Sequence, residues 1–416
     1  MPNQRRTVIT GLGVISPLGV SKESFWQSLF EGKSNFKPIT LFDTSSLKVK
    51  TGGEITDFDP KPILGTQGLM DLDRATLLLL SATKLALDDA RLTITEENSN
   101  LIGVSIGTTF GSLHSLSAFD RESLRDGPRY VNPSVFPSTV GNSPASRISI
   151  RFNIKGSNTT ISTGMCAGLD AFDYSRDLIE LNRTNTIITG SVEDFSMQTF
   201  LGFYKLNYLS GLNGNSEVVS RPFDKRRNGI VFSEGATAFI LEELDSARFR
   251  KATPCVELLG VGTSFDPTKY YRYNPKGIGI AKAMHLALQD AQLDLQDIDC
   301  IFANANSTKD ADVIETRAIK EVFAGHAQKI PITSIKSTLG ETFSASGSFA
   351  VLAAIGAIRS SLIPPTTHYK EKDPDCDLNY VVNSPLKKKL ERVMVNAFGP
   401  NGESTVLIIG KFQERV

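Results

Sequence analysis

The chain has 416 residues, of which 40% are hydrophobic and 22% charged, as is ordinary for a globular protein. Its 45 basic residues balance its 45 acidic ones, so nothing electrostatic points to nucleic acid or an anionic membrane as a partner. The four cysteines are widely spaced and include no CxxC pair, which argues against a disulfide framework or a zinc site.

The sequence also shows no pattern typical of export or membrane insertion. MPNQRRTVITGLG at the N-terminus lacks a long apolar segment and a cleavage-like site, so no signal peptide is expected. No run reaches about 18 uninterrupted apolar residues, so no transmembrane helix is expected. These features predict a cytoplasmic α/β protein.

Strand and helix patterns alternate along the chain. In the first half, strands are predicted at 6–16, 100–109, 184–194 and 235–244, and helices at 22–32 and 69–90. In the second half, strands are predicted at 256–266, 391–400 and 403–412, strands that run into a turn at 298–306 and 331–340, and helices at 278–293 and 346–362. This alternation favours parallel or mixed sheets covered by helices. A weak echo between TVITGLGVISP and VELLGVGTSFD indicates two pseudo-repeated halves, 1–250 and 251–416.

Six motifs in order resemble the β-ketoacyl synthase family of the thiolase superfamily. They are VITGLGVISPLG, the Ser/Thr-rich approach to GLDA, RPFDKRRNGIVFSEGA, a D-x-x-E pair, SIKSTLG and NAFG, and they extend from Val8 to about Gly410. The resemblance implies the thiolase fold, with five layers in the order α-β-α-β-α. It also implies a dimer with active-site tunnels near the interface, and an acyl carrier protein that delivers substrate on phosphopantetheine. No cofactor or metal is expected on this chain itself.

The resemblance places a methionine at the nucleophile position. Active members carry a cysteine two residues after a threonine and three before a glycine. Thr163 and Gly168 fix that register here, so the position falls on Met165 and Cys166 lies one residue later. A thioether has no proton for a base to remove and gives no stable acyl intermediate. Cys166 is interpreted as a small buried side chain, with a displaced nucleophile as the alternative.

Both catalytic histidines of the family are replaced as well. In the family's Ala-His-Gly-Thr turn this chain has Asn304, and in its Leu-Gly-His turn it has Glu341. An ionised Glu341 would repel the enolate that those histidines stabilise. By contrast Lys336, Asp312 and Glu315, which the resemblance assigns to the architecture of the site, are retained.

Two further regions are assigned from the resemblance. The family's Gly-Phe-Gly-Gly gating loop has become Gly399, Pro400, Asn401 and Gly402, so Pro400 replaces the gating phenylalanine. Phe398, Gly399, Pro400 and Asn401 are assigned to the gating loop. The helix after GTTFGS is expected to face a shared polyketide tunnel. Ser112, Ser115 and Phe119 would share one face of that helix, with the serines leaving room and Phe119 as the floor; the alternative is a partly polar surface stripe.

A retained scaffold without its catalytic groups resembles a chain length factor, the ketosynthase β subunit of type II polyketide synthases. Such a subunit pairs with an active ketosynthase α subunit, and both shape one tunnel for the malonyl-derived polyketide chain. The usual replacement of the nucleophile is glutamine, so Met165 departs from the common pattern. Two alternatives stay open. One is an unusual active synthase, acyltransferase or malonyl decarboxylase that uses Cys166 with Glu341, and the other is a homodimeric binding or regulatory protein.

Overall fold

The computed structural model describes residues 5–212, 217–268 and 272–414. The strands are β1 (Thr7–Ile15), β2 (Lys37–Pro38), β3 (Thr51–Gly52), β4 (Ile102–Gly107), β5 (Asn158–Ile161), β6 (Thr186–Glu193), β7 (Gly235–Glu243), β8 (Val256–Phe265), β9 (Cys300–Phe302), β10 (Ile332–Thr333), β11 (Leu362–Ile363), β12 (Leu386–Lys387), β13 (Arg392–Phe398) and β14 (Glu403–Lys411). The helices are α1 (Lys22–Phe30), α2 (Lys61–Leu64), α3 (Arg74–Asp89), α4 (Leu113–Asp126), α5 (Ser143–Phe152), α6 (Ala167–Glu180), α7 (Met197–Lys205), α8 (Leu244–Phe249), α9 (Ile278–Asp290), α10 (Lys309–Phe323), α11 (Lys336–Leu339) and α12 (Ser346–Ser360).

The large sheet has the strand order β10-β9-β13-β14-β8-β1-β7-β6-β4-β5 and consists of two equivalent halves. In each half, two antiparallel pairings follow the first strand and two parallel pairings follow those. The series β1, β7, β6, β4, β5 therefore corresponds to β8, β14, β13, β9, β10. This repetition confirms the pseudo-repeated halves.

Helices cover and separate the two halves of the sheet. α3 packs on β1 and β7, and α9 packs on β8 and β14. Between the halves, α6 packs on β4 and β6, α12 packs on β13, and the two helices contact each other. The resulting order of helix, strand, helix, strand and helix layers confirms the predicted five-layered α-β-α-β-α fold. The predicted boundary after residue 250 lies between α8 and β8 and stays a prediction.

Local sequence explains where several elements start and stop. α3 begins at Arg74, five residues later than predicted, because the Asp73 carboxylate accepts the Thr76 N–H and caps the helix there. α1 begins with a capping box between Ser21 and Ser24, and Gly32 follows its end at φ +64°.

One helical stretch in the described part of the chain, Phe343–Ser360, has the length and apolar composition that a membrane crossing requires. In the structure 89% of it is buried inside the protein, where α12 forms the central layer together with α6. The sequence predicted this helix at 346–362, and its serines and glycines are why it contains no uninterrupted apolar run.

Candidate functional site

The site begins at the turn between β5 and α6. Gly164 has φ +66°, a conformation that suits glycine, and residues Gly164–Cys166 form a single 3-10 turn that leads into α6. In this turn the Met165 side chain is half-buried and packs against a cluster of aromatic residues. Met165 therefore stands at the start of the helix, at the position that the resemblance assigns to the nucleophile.

Cys166 points in another direction. It is fully buried, and its Sγ donates to the Ala397 carbonyl at 3.3 Å. Burial, together with the nearby carboxylates of Asp170 and Glu403, raises the pKa of the Cys166 thiol well above its ordinary value. A thiol held in this way supplies little thiolate, so the geometry favours the buried side chain over the displaced nucleophile.

The two positions that replace the histidines are joined by Lys336. Its Nζ donates to Asn304 Oδ1 at 2.8 Å and to Glu341 Oε2 at 2.9 Å. Lys336 is 4% exposed and Glu341 is 1% exposed, so this is a buried ion pair. Asn304 in turn donates from Nδ2 to the Phe398 carbonyl at 2.9 Å, which ties it to the gating loop. The structure thus brings Asn304 beside Lys336 and Glu341, which lie more than 30 positions later in the sequence.

Glu341 is saturated with donors besides Lys336. Its Oε1 accepts the Phe343 N–H at 2.9 Å and the Ser346 hydroxyl at 2.6 Å. Its Oε2 also accepts Asn306 Nδ2 at 3.1 Å. A carboxylate held by four donors is a structural anchor and has little capacity left to accept a proton from substrate.

Asp312 and Glu315 support the turn that follows β9. Glu315 accepts the N–H groups of Asn304 and Ala305 at 2.9 and 2.8 Å, and Asp312 accepts the Asn306 N–H at 2.9 Å. Burial raises the pKa of Glu315 to about 7 and that of Asp312 to about 6. Their contacts agree with the architectural role that the resemblance implies.

These raised pKa values predict a loss of stability with rising pH. Unfolded Glu315 would lose its proton near its ordinary pKa of 4.5, whereas the folded protein holds it to about 7. Its contribution is therefore present at low pH and is lost as pH rises from about 4.5 to 7. We expect Glu315→Gln to flatten the pH dependence of the free energy of unfolding by about 1–2 kcal/mol over this interval. Urea unfolding from pH 5 to 8 measures this, with exposed Glu321→Gln as the control. An unchanged slope in Glu315→Gln would contradict the expectation.

The gating-loop residues Phe398–Asn401 lie directly beside this network. Phe398 is 1% exposed, and its ring centroid lies 5.8 Å from that of Tyr273. The Gly399 N–H donates to the Glu403 carbonyl, and the Gly402 N–H donates to the Gly399 carbonyl, so the loop closes as a tight turn. Pro400 stands within this turn and has no backbone N–H of its own.

Glu403 is a site residue that sequence reasoning missed. Its Oε1 accepts the Met165 N–H at 3.2 Å, although 238 positions separate the two residues in the chain. Glu403 follows the gating loop at the start of β14, and only the pairing of the folded halves brings it to α6. The only indication in the sequence was that Glu403 follows closely after the NAFG motif.

The aromatic cluster around Met165 fills the interior beside the turn. The Phe343 ring lies 5.4 Å from Phe110, 4.6 Å from Phe203 and 4.9 Å from Phe232, centroid to centroid. Phe343 is 1% exposed and has φ +50°. The cluster connects the Glu341 anchor with the Met165 turn, because the same Phe343 donates its N–H to Glu341.

The three predicted tunnel residues do not share one face of α4. Ser112 precedes the helix as its N-cap, with φ −97° and ψ 41°, so it is not on the helix face that was predicted. Ser115 is buried and its hydroxyl donates to Asp73 at 3.0 Å. The half-buried Phe119 ring lies 6.1 Å from that of Phe136. Their role in a tunnel stays a prediction.

A cleft rich in cations opens next to the gating loop. It has a volume of about 920 Å³ and shares Tyr273 with the loop contact. Its charged lining residues are Lys225, Arg226, Arg227, Arg272, Lys309 and Asp310. Three of these cations already pair with carboxylates outside the lining, Lys225 with Glu371, Arg226 with Asp224 and Arg227 with Asp373. Arg272 and Lys309 are the cations of this described lining that remain for a partner.

Two family models match the chain. The β-ketoacyl synthase N-terminal domain matches residues 4–247, and the β-ketoacyl synthase C-terminal domain matches residues 255–370. Among curated proteins, the chain is 36% identical to 3-oxoacyl-[acyl-carrier-protein] synthase 2 of Coxiella burnetii, over 98% of this chain and 99% of that protein. It is 34% identical to the protein of the same name from Synechocystis, over 99% of each chain.

Solved structures agree with this result. The ishigamide ketosynthase/chain length factor superposes with a TM-score of 0.92 at 32% identity, over 99% of this chain and 100% of that one. A type II polyketide synthase acyl-carrier protein complexed with its ketosynthase, bound to the hexaketide, contains a chain that superposes with a TM-score of 0.89 at 26% identity. That match covers 99% of this chain and 100% of the other.

Proposed function

The chain belongs to the β-ketoacyl synthase family, and we propose that within this family it acts as a non-catalytic chain length factor. In this role it pairs with an active ketosynthase α subunit and shapes the tunnel for the growing chain in type II polyketide or related fatty acid-like biosynthesis. An acyl carrier protein delivers the malonyl and polyketide groups on phosphopantetheine, and the chemistry takes place on the partner. A cytoplasmic location remains part of the proposal.

The observation that carries the proposal is the ion pair between Lys336 and Glu341. In the positions of the two catalytic histidines, Asn304 and Glu341 bond to the same ammonium group instead of facing an open site. Met165 at the helix start completes the loss, because a thioether cannot form the acyl intermediate. At all three positions, the side chain contacts other residues of this chain, which supports a role without catalysis.

The comparisons support the family and leave the subtype to experiment. The curated relatives are named as synthases, whereas one similar structure is that of a ketosynthase/chain length factor. For the active alternative, Cys166 would need to reach substrate and Glu341 would need a free oxygen. Cys166 is fully buried and Glu341 accepts from four donors, so these contacts do not favour an active enzyme that uses Cys166 with Glu341.

Two surfaces suit the proposed partners. β5 is the last strand of the large sheet, and its residues are exposed or half-buried in this chain. An open edge strand is a ready site for pairing with another subunit. We assign the cleft beside Tyr273 to the carrier protein and its phosphopantetheine arm, with Arg272 and Lys309 as the cations that would meet acidic or phosphate groups.

The test combines acylation with assembly. We expect no adduct on this chain after treatment with cerulenin or acyl-carrier protein, as measured by intact mass. Co-expression with an active ketosynthase is expected to give a stable 1:1 heterodimer in which only the ketosynthase is modified. A stoichiometric adduct on Cys166, or a well-behaved chain that ignores the ketosynthase, would contradict the proposal.

Product length tests the predicted tunnel. We expect Phe119→Ala to lengthen the polyketide made by the reconstituted pair, and Ser112→Phe to shorten it, because Phe adds roughly 100 Å³ to a packed interior. Product mass with carrier protein and malonyl donor is the measurement. Leu124→Ala, at a side chain on α4 that is 88% exposed, is the control. If both variants gave products of unchanged length and yield, Ser112 and Phe119 would not determine the length of the polyketide.

A further inference from the structure

The Glu403 side chain enters a small gap between two backbone segments. Gly164 precedes Met165, and Gly399 lies in the gating loop. A Cβ built on either glycine would lie less than 3.0 Å from Glu403 Oε1. The oxygen therefore has room only because both positions are glycine, and at 3.2 Å it accepts the Met165 N–H.

Backbone N–H groups make this place suited to an accepting oxygen. The N–H groups at the start of α6 have no partner within the helix, and the helix dipole gives this end a partial positive charge. Glu403 Oε2 is buried without a hydrogen-bond partner among the described residues. Burial also raises the pKa of Glu403. A buried oxygen without a hydrogen-bond partner destabilises the folded protein. The position of Glu403 is therefore not explained by a gain in stability from that oxygen.

The same place has a chemical meaning in acyl transfer. When a nucleophile attacks a thioester, negative charge develops on the carbonyl oxygen, and backbone N–H groups near the nucleophile stabilise it. Met165 occupies the nucleophile position, so its N–H is the donor that such an oxygen would use. Glu403 Oε1 already takes that hydrogen bond.

We propose that Glu403 is an internal plug that occupies the position of the acyl oxygen and excludes acyl thioesters from the Met165 turn. This inference rests on the proposed function, because it uses Met165 as the nucleophile position. Acylation is then prevented twice, by the missing thiol at position 165 and by Glu403. Restoring the thiol alone therefore does not restore acylation. A carboxylate that only caps α6 would instead leave the reactivity of a restored thiol unchanged.

The test introduces the thiol and then removes the plug. In the heterodimer with the ketosynthase, Met165→Cys is compared with Met165→Cys/Glu403→Ala and Met165→Cys/Glu403→Thr. The probe is octanoyl-pantetheine: the cysteine sulfur attacks its carbonyl carbon, the new C–S bond replaces the old one, and pantetheine leaves as the thiol with the proton. Peptide mass mapping reads acylation at position 165 separately from that of the partner.

Iodoacetamide serves as the internal reference, because alkylation forms no oxyanion and reports only access to the thiol. We expect the ratio of acylation rate to alkylation rate to rise at least 10-fold when Glu403 becomes Ala or Thr. Met165→Cys/Glu403→Gln keeps the size of the side chain and its accepting oxygen, so its ratio should stay within about twofold of Met165→Cys.

An equal ratio in all four variants would overturn the plug. If one opened variant fails to fold, as judged by circular dichroism, the other decides. Failure of the proposed function shows itself differently, as an adduct on Cys166 of the unmodified chain or as absence of the heterodimer.

Discussion

Replacing Lys336 with methionine is expected to lower the free energy of unfolding by about 3–5 kcal/mol, the range for breaking a buried ion pair from one side. The substitution leaves the Glu341 carboxylate, 1% exposed, without its cation, and it removes the donor to Asn304. Urea unfolding at neutral pH measures the change. Since three other donors to Glu341 remain, the variant still folds and its loss can be quantified.

A matched surface pair provides the control for this experiment. Lys84 pairs with Asp88 on α3, but both side chains are well exposed, so Lys84→Met should cost less than about 1 kcal/mol. Lys336→Met/Glu341→Gln removes the stranded charge and should recover part of the loss. A loss below 1 kcal/mol for Lys336→Met itself would show that the pair is not the anchor described above.

Truncating Phe343 to alanine is expected to cost about 3–5 kcal/mol, because it opens a cavity in the aromatic cluster. The ring has three aromatic neighbours within 5.4 Å and is 1% exposed. Phe343→Leu fills more of the space and should cost less. Phe249→Ala, at a side chain that is 92% exposed, should change stability by less than about 0.5 kcal/mol. Similar losses for Phe343→Ala and Phe249→Ala would contradict a packed cluster.

The architecture was predictable because its signals are local. Runs of β-branched and apolar residues marked most strands, and the motif order marked the five-layered fold. Boundaries were less accurate where a single side chain decides them. The segment 298–306 was predicted as a strand that runs into a polar turn, without the point of change. β9 ends at Phe302 because the following backbone N–H groups of Asn304 and Ala305 bond to Glu315 instead of to a neighbouring strand.

The positions of the candidate site were predictable from the family motifs, but their contacts were not, and the loss of catalysis stays a prediction. Register alone placed Met165, Asn304 and Glu341, since each replaces one residue of a recognisable motif. That Lys336 joins two of these positions depends on the turn at Gly340, with φ +87°, which folds Glu341 back beside the ammonium group. Glu403 lay beyond sequence reasoning, because its partner belongs to the other half of the chain.

The hydrogen bond between Met165 and Glu403 has a consequence for dynamics. Met165 follows β5 of the first half, whereas Glu403 begins β14 of the second, and the halves are also joined by the pairing of β1 with β8 and by the contact of α6 with α12. Any opening of the halves that separates β14 from α6 exposes the Met165 amide to solvent. Hydrogen exchange at this amide therefore gives a lower limit for the free energy that holds β14 against the start of α6.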